Sequence, residues 1–375
     1  MSAFVETTAS YRQGARTLPG RYYTSPEVFA EEAERVFSRQ WICVGRSLSL
    51  PGPRDYRLVT IAGESLIVLR DRDGELRAFH NVCRHRGTQL CEATQGRLAA
   101  TIQCPYHAWT YALDGSLISA PQMHGVEGFD KRDYPLRSVR VAEWEGFLFI
   151  NLSHDGPALD QALAPLLGRF APFRIETLTV VRRIEYAVAA NWKLILENYS
   201  ECLHCPTIHP ELSAKLPYAA GANDLVEGPV LGGYMTIKPP HESATMTGRA
   251  CALPLNDLGP DDRRRAFYYT LFPTMMLSLH PDYAVFYTVW PQRPAASRVV
   301  CEWMVHPDAP SAPCYRIEDA EEFWDRTNRQ DWLICERSQA GVSSRAYLPG
   351  PYSPRESLPA AWDREYLRVM SQSAS

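Results

Sequence analysis

Cys83-Arg84-His85 and Cys104-Pro105-Tyr106-His107 each place one thiol and one imidazole in a short stretch. Each pair is close enough in sequence to grip one metal centre from one loop. This constrains the fold more than any other feature, because both loops have to be presented by the same rigid scaffold. From Trp41 to about Asn151, short apolar runs (YRLVTI, SLIVLR, LRAFHNV, AATIQC, AWTYAL, GFLFINL) alternate with turns such as Asp71-Arg72-Asp73-Gly74 and Asp114-Gly115. That pattern predicts an all-β segment of short strands.

Three readings of the four residues compete. Unrelated side chains are disfavoured by two matched pairs on turns. A structural zinc site usually has two or more residues between the ligands of each pair, whereas the first pair here has one. A Rieske [2Fe–2S] cluster takes two Cys on one iron and two His on the other, which suits C-x-H with C-x-x-H. CRHRG followed by CPYHAW resembles the Rieske motif of Rieske-type non-haem iron oxygenases. Respiratory Rieske proteins usually carry a further Cys soon after each pair. Here Thr88, Gln89, Ala108 and Trp109 stand there, and Cys91 reads as a buried thiol.

A second constellation lies in NWKLILENYSECLHCPTIH, Asn191 to His209. Glu201 and His204 are i, i+3 and would share a face of a helix, and Asn198 to Leu203 reads as helical. His204 and His209 would point apart on one regular helix, but Pro206 breaks or kinks it so that both imidazoles reach one ion. Two His at this spacing are by themselves a weak motif. The stretch resembles the mononuclear-iron motif of the same oxygenases, and it follows a Rieske-like segment as that family requires. Two His and one carboxylate with open positions is the arrangement of non-haem Fe(II) that activates O2. The resemblance points to Asp331, within NRQDWLICERSQAG, as the carboxylate, with Glu336 and Asp325 as competitors. It also assigns Glu201 to bridging the two metal centres, by hydrogen bonds to His204 and to a Rieske His matching His107 of a neighbouring subunit. Asn198 falls near the iron. Many aromatic-ring dioxygenases have Asp at the Glu201 position; Glu, with SLHPDYA (Ser278 to Ala284), is similar to betaine-demethylating members.

The rest of the chain predicts an α+β organisation. Residues 1–40 read as an N-terminal segment packed on the catalytic domain, with an N-cap and helix from Thr24-Ser25-Pro26-Glu27 to Phe37. Residues 41–153 form the Rieske domain and 154–375 the mononuclear-iron domain, for which the resemblance implies a helix-grip, START-like antiparallel sheet. Ala158 to Phe173 has helical periodicity. LGGYMTIK, RAFYYTLF, MMLSLH, YAVFYTVWPQ and RVVCEWMVH read as strands, Glu318 to Gln339 as a helix, and the remainder as an irregular tail.

Composition bears on partners. A formal net charge of −4 argues against a nucleic-acid binder. No charged start with an apolar stretch marks a secretory signal, and no apolar run is long enough to span a membrane, so a cytoplasmic protein is expected. The 10 Cys are then expected to be thiols or metal ligands, with no role beyond packing outside the cluster. No G-x-G-x-x-G follows a strand, so NAD(P)H and flavin belong to a separate reductase. The resemblance further implies a homotrimer in which the cluster of one subunit serves the iron of the next. The reaction it implies is mono- or dioxygenation of a small organic molecule. Oxidative N-demethylation of a betaine-like amine, held in an aromatic cage, is one expectation; hydroxylation or dihydroxylation of an aromatic compound is another, and a Rieske electron carrier without oxygenase activity is a third. Candidate pocket residues on the later strands include Tyr234, Tyr268, Tyr269, Phe272, Tyr287 and Trp290, of which all but Tyr268 are favoured. Strand alternation lets only one of Phe286 and Tyr287 face inward.

Overall fold

The computed structural model describes residues 3–372, which divide into two units: residues 37–159, and the residues before 37 together with those from 160 on. The chain starts in the second unit with a short edge strand, β1 (Val5–Glu6). Ser25 caps helix α1 (Pro26–Glu32), its hydroxyl accepting from the Val28 N–H at 3.2 Å, with Pro26 in the first turn where its missing N–H costs nothing. The helix continues through a wide π turn, Ala33–Phe37.

Unit 37–159 is all-β. Its strands are β2 (Ile42–Arg46), β3 (Asp55–Ile61), β4 (Glu64–Arg70), β5 (Leu76–His80), β6 (Gln95–Arg97), β7 (Ile102–Gln103), β8 (Thr110–Tyr111), β9 (Leu117–Ser119), β10 (Arg140–Trp144) and β11 (Phe147–Asn151). They form three antiparallel sheets in the orders β10-β11-β2, β5-β4-β3-β6 and β7-β8-β9. Two hairpins turn on residue pairs with positive φ, Ala62-Gly63 and Glu145-Gly146, the geometry that matches strand twist. Tyr56, Ile67, Leu69, Phe79, Ile102, Trp109 and Tyr111 pack a core that also encloses Cys83 and Cys104.

The other unit is built on one eight-stranded antiparallel sheet in the order β1-β13-β14-β15-β16-β17-β18-β12. Its strands after β1 are β12 (Thr179–Val188), β13 (Gly221–Leu225), β14 (Val230–Thr236), β15 (Arg265–Leu271), β16 (Met275–Leu279), β17 (Ala284–Arg293) and β18 (Ala296–Val305). Helices α2 (Trp192–Tyr199), α3 (Cys205–Ile208), α4 (Pro210–Lys215), α5 (Ile317–Val342) and α6 (Ser357–Met370) complete it. Cys335 on α5 packs against α2, its thiol 3.6 Å from the Leu194 carbonyl oxygen. Among the described residues no helix is long and apolar enough to cross a membrane.

Three expectations fail locally. Ala158 to Phe173 is not one helix but a single turn, Leu159–Ala162, followed by 3-10 turns, because Pro165 and Pro172 interrupt it. The tail is not irregular: α6 forms because Pro359 lies in its first turn, where no intrahelical N–H bond is lost. The helix expected at Asn198 to Leu203 is displaced, since α2 begins at Trp192 and ends at Tyr199.

A buried ion pair fastens α1 and α6 to the start of α2. Lys193 and Glu32 are fully buried, Glu32 also accepting from Trp192 Nε1 at 2.9 Å and the Tyr366 hydroxyl at 2.7 Å. The Lys193 ammonium lies about 5.0 Å from the Trp192 and Tyr366 ring centroids. Burial pushes this lysine down, and the Glu32 carboxylate opposes that. Removing one partner leaves an uncompensated charge, so Glu32→Ala is expected to cost ~3–5 kcal/mol in urea unfolding. A loss below ~1 kcal/mol would show that the pair does not anchor the helix.

Candidate metal centres and substrate cavity

The two Cys/His loops have the same backbone design despite their different ligand spacing. In the first, the Cys83 N–H donates to the Thr88 carbonyl at 2.8 Å and the Gly87 N–H to the Cys83 carbonyl at 3.0 Å. In the second, Cys104 N–H donates to Trp109 at 2.8 Å and Ala108 N–H to Cys104 at 3.1 Å. The fifth residue of each loop, Gly87 or Ala108, has positive φ. The thiols are buried and the imidazoles half-buried, with the His85 and His107 ring centroids 4.8 Å apart. The Tyr111 hydroxyl touches Cys83 Sγ at 3.3 Å, and Trp109 stacks on His85 at 4.7 Å.

Burial pushes the Cys83 thiol up, and the neighbouring Cys104 adds to this, so its thiolate needs a positive partner such as iron. Burial, with His107 and Arg86 nearby, pushes His85 down and keeps it neutral, as a ligand must be. His85 Nδ1 is buried with no hydrogen-bond partner. Two inner thiols, two outer imidazoles and an orphaned ring nitrogen fit a [2Fe–2S] cluster divided between two irons.

In the larger unit, His204, His209 and Asp331 come together although Asp331 lies on a distant helix: one ligand atom from each lies within 4.8 Å of the others. Asp331 Oδ1 is 2.8 Å from His209 Nε2 and 3.3 Å from His204 Nε2. The far side of each ring is held by an acceptor. Glu201 Oε1 lies 2.5 Å from His204 Nδ1, and Gln330 Oε1 lies 2.7 Å from His209 Nδ1. An acceptor at each Nδ1 favours a proton there, which frees both Nε2 atoms to ligate a cation beside the Asp331 oxygen in place of the proton they otherwise share with it. Burial alone would lower the His204 pKa, yet hydrogen bonds to Asp331 and Glu201 push it up to about 10. Burial would raise Asp331, but the two imidazoles hold it below its ordinary value. The same negative field favours a divalent cation, and the donor set fits non-haem iron.

The local fold differs from the helical reading. Glu201 and His204 lie in the loop after α2, where the Glu201 carboxylate also accepts from the Leu203 N–H. Pro206 does not break a helix; it sits in the first turn of α3, which His204 and His209 flank. Asn198 Nδ2 is 3.5 Å from His204 Nε2. The competing acids are engaged elsewhere. Asp325 accepts from the Tyr186 hydroxyl and Arg329, and Glu336 from the Ala189 N–H. One expectation about the cysteines is corrected, since Cys202 and Cys205 form a disulfide; the C-x-x-C turn brings their Cα atoms to 5.0 Å, within bonding range. Cys314 is exposed, so it has no packing role either.

Both imidazoles and Asp331 line a cavity of about 130 Å³. That is room for about ten water-sized positions, hence for a small ligand. Tyr199, Tyr218, Tyr268 and Trp324 line it as well. The Tyr268 ring stands edge-on to Tyr199 at 6.2 Å and to Trp324 at 6.3 Å. Of the favoured pocket candidates, only Tyr234 borders the cavity, and its ring packs on Phe4 at 4.8 Å. Tyr269 alternates to the opposite sheet face from Tyr268, where it donates to Asp224. Phe272 lies past the end of β15 against Trp362, Tyr287 donates to Asn328, and Trp290 donates to Thr288. Sequence reasoning missed Tyr199, Trp324 and Gln330, which stand on helices whose cavity face no strand pattern reveals.

Two family models match the chain: a Rieske [2Fe-2S] domain over residues 40–130, and a ring hydroxylating alpha subunit (catalytic domain) over residues 175–372. The glycine betaine monooxygenase oxygenase subunit of Chromohalobacter salexigens is 35% identical, over 91% of this chain and 83% of that protein. The choline monooxygenase of Arabidopsis thaliana is 27% identical over 90% of this chain and 79% of that protein. A crystal structure of the quaternary ammonium Rieske monooxygenase CntA with L-carnitine matches at TM-score 0.78 and 26% identity, covering 95% of this chain and 96% of that one.

If the two donor sets act separately, Asp331→Ala loses the iron of the His204/His209 site and keeps the visible spectrum of the cluster. Metal analysis beside the absorption spectrum reads both. Full iron content in that variant would remove Asp331 from the ligands.

Proposed function

Because the chain belongs to the Rieske non-haem iron oxygenases, as an oxygenase α subunit, we propose that it oxidatively N-demethylates a small quaternary ammonium compound. As a member it carries a Rieske cluster and a mononuclear iron and consumes O2 with electrons from a reductase. In this reading Cys83, His85, Cys104 and His107 hold the cluster, and His204, His209 and Asp331 hold the mononuclear iron. When bound, the cluster relays single electrons and the iron activates O2.

The observation that carries the reading is the convergence of both Nε2 atoms and Asp331 on a cavity walled by Tyr199, Tyr268 and Trp324. Aromatic faces attract a methylated cation that cannot donate hydrogen bonds. The relatives named for glycine betaine and choline, and the structure holding carnitine, support that substrate class. One oxygen atom of O2 enters an N-methyl C–H bond, and the other leaves as water with an electron pair and protons from outside the chain. The hydroxymethyl group then departs as formaldehyde, its electrons staying on nitrogen as the amine.

The chain's own residues orient the reaction. Glu201 and Gln330 fix the tautomers of His204 and His209. Glu201 is also the bridge toward His107 of a neighbouring subunit in a homotrimer. Asn198, against His204, steadies that ring. We take the reductase to be a separate flavin and iron–sulfur protein using NAD(P)H, and the system to be cytoplasmic.

Supplied with a reductase, the protein is expected to release formaldehyde in step with reductant consumption on methylated quaternary amines. Hydroxylation of an aromatic acid without formaldehyde, and inertness toward every quaternary amine, would overturn the substrate reading. Glu201→Gln is expected to retain both metals and lose ~10–100-fold in turnover. Unchanged turnover would remove Glu201 from the path.

A further inference from the structure

Among the described residues, the cavity wall holds one arginine and no lysine. That residue, Arg355, stands in the turn Pro354–Glu356 before α6. It is half-buried, its guanidinium sits 5.2 Å from the Tyr218 ring centroid, and no carboxylate of the described residues pairs with it. The two carboxylates on the same wall are already engaged, Glu201 by His204 and Asp331 by both imidazoles. Arg355 is therefore a cation that faces the cavity without an anion of the protein's own.

Two further donors on this wall are unpaired. The Tyr268 hydroxyl and the Asn223 amide nitrogen are buried with no hydrogen-bond partner. Their positions are linked by register: Asn223 pairs with Gly233, and Gly233 with Tyr268. Directly opposed residues share a sheet face, so Asn223 and Tyr268 stand on either side of a residue without a side chain. A Cβ at Gly233 would lie 2.1 Å from the Ala222 carbonyl oxygen, so the floor between them stays bare. A guanidinium, a hydroxyl and an amide N–H with no acceptor of their own match an oxygen anion, and the planar guanidinium fits a carboxylate.

We propose that Arg355 anchors the carboxylate of a zwitterionic substrate, with Tyr268 and Asn223 as further unpaired donors on the same cavity wall, so that the enzyme selects betaines over quaternary amines with a neutral head. This rests on the quaternary-ammonium reading above and adds the group that discriminates within that class. The methylated nitrogen takes the Tyr199 and Trp324 rings beside the iron ligands, and the carboxylate takes Arg355.

Calorimetric binding of glycine betaine, carnitine and choline to the holoprotein tests this, in wild type, Arg355→Gln and Arg355→Lys. Wild type is expected to bind the two carboxylated compounds at least about tenfold more tightly than choline, the worth of one charge-assisted hydrogen bond. Arg355→Gln removes that preference and leaves choline affinity within about twofold, while Arg355→Lys keeps part of it, retaining the charge without the fork. Under turnover the Arg355→Gln loss falls on KM for the betaines rather than on kcat, because the contact is made equally in ground and transition states. Equal wild-type affinity for all three, or an Arg355→Gln protein that loses choline as much as betaine, overturns the carboxylate anchor and leaves the quaternary-ammonium reading standing. Binding of none of the three overturns that reading and this inference together.

Discussion

The chain depends on holding two imidazole lone pairs and one carboxylate oxygen around a common point. Left in water, these groups would not converge: Asp331 is separated from His209 by most of the sheet and half of α5. The eight-stranded sheet supplies the platform, α2 ends where the loop to His204 begins, and α5 brings Asp331 back to it. Each imidazole is then turned by an acceptor on its far side, Glu201 or Gln330. The buried Lys193–Glu32 pair serves the same end from behind, tying α1 and α6 to the helix that leads into the site.

Much of this is legible in the amino-acid sequence alone, and the exceptions share a cause. The Cys83/His85 and Cys104/His107 loops are legible because each pair is local and its strands are punctuated by turns. Strands β14 to β18 and helix α5 are legible from their apolar patterns. Where tertiary contacts decide the backbone, the local pattern misleads. Glu201 and His204 meet in a loop through the Glu201 side chain rather than on a helix face. Pro206 opens a helix instead of breaking one. Cys202 and Cys205 are paired with each other, which no argument from cellular compartment could reveal.

The cavity is the least legible part. Alternation along β15 separates Tyr268 from Tyr269, but nothing in the strand pattern says which face carries the helices. Tyr199 and Trp324 come from α2 and α5, so three secondary-structure elements build one aromatic wall. Arg355 lies in what reads as an irregular tail, and only the formation of α6 gives that segment a place at the site. Among the described residues, the aromatic wall, the bare floor at Gly233 and the arginine at position 355 come from separate parts of the chain that meet only in the folded unit.

The proposed chemistry turns on one chain holding two different iron centres. Low-temperature EPR of the anaerobically reduced protein, with iron and acid-labile sulfide counted on the same sample, tests it most directly. A Rieske-type signal and about three irons to about two sulfides per chain are expected, the excess iron belonging to the His204, His209 and Asp331 site. A colourless protein containing zinc, or iron and sulfide in equal amounts, would contradict it.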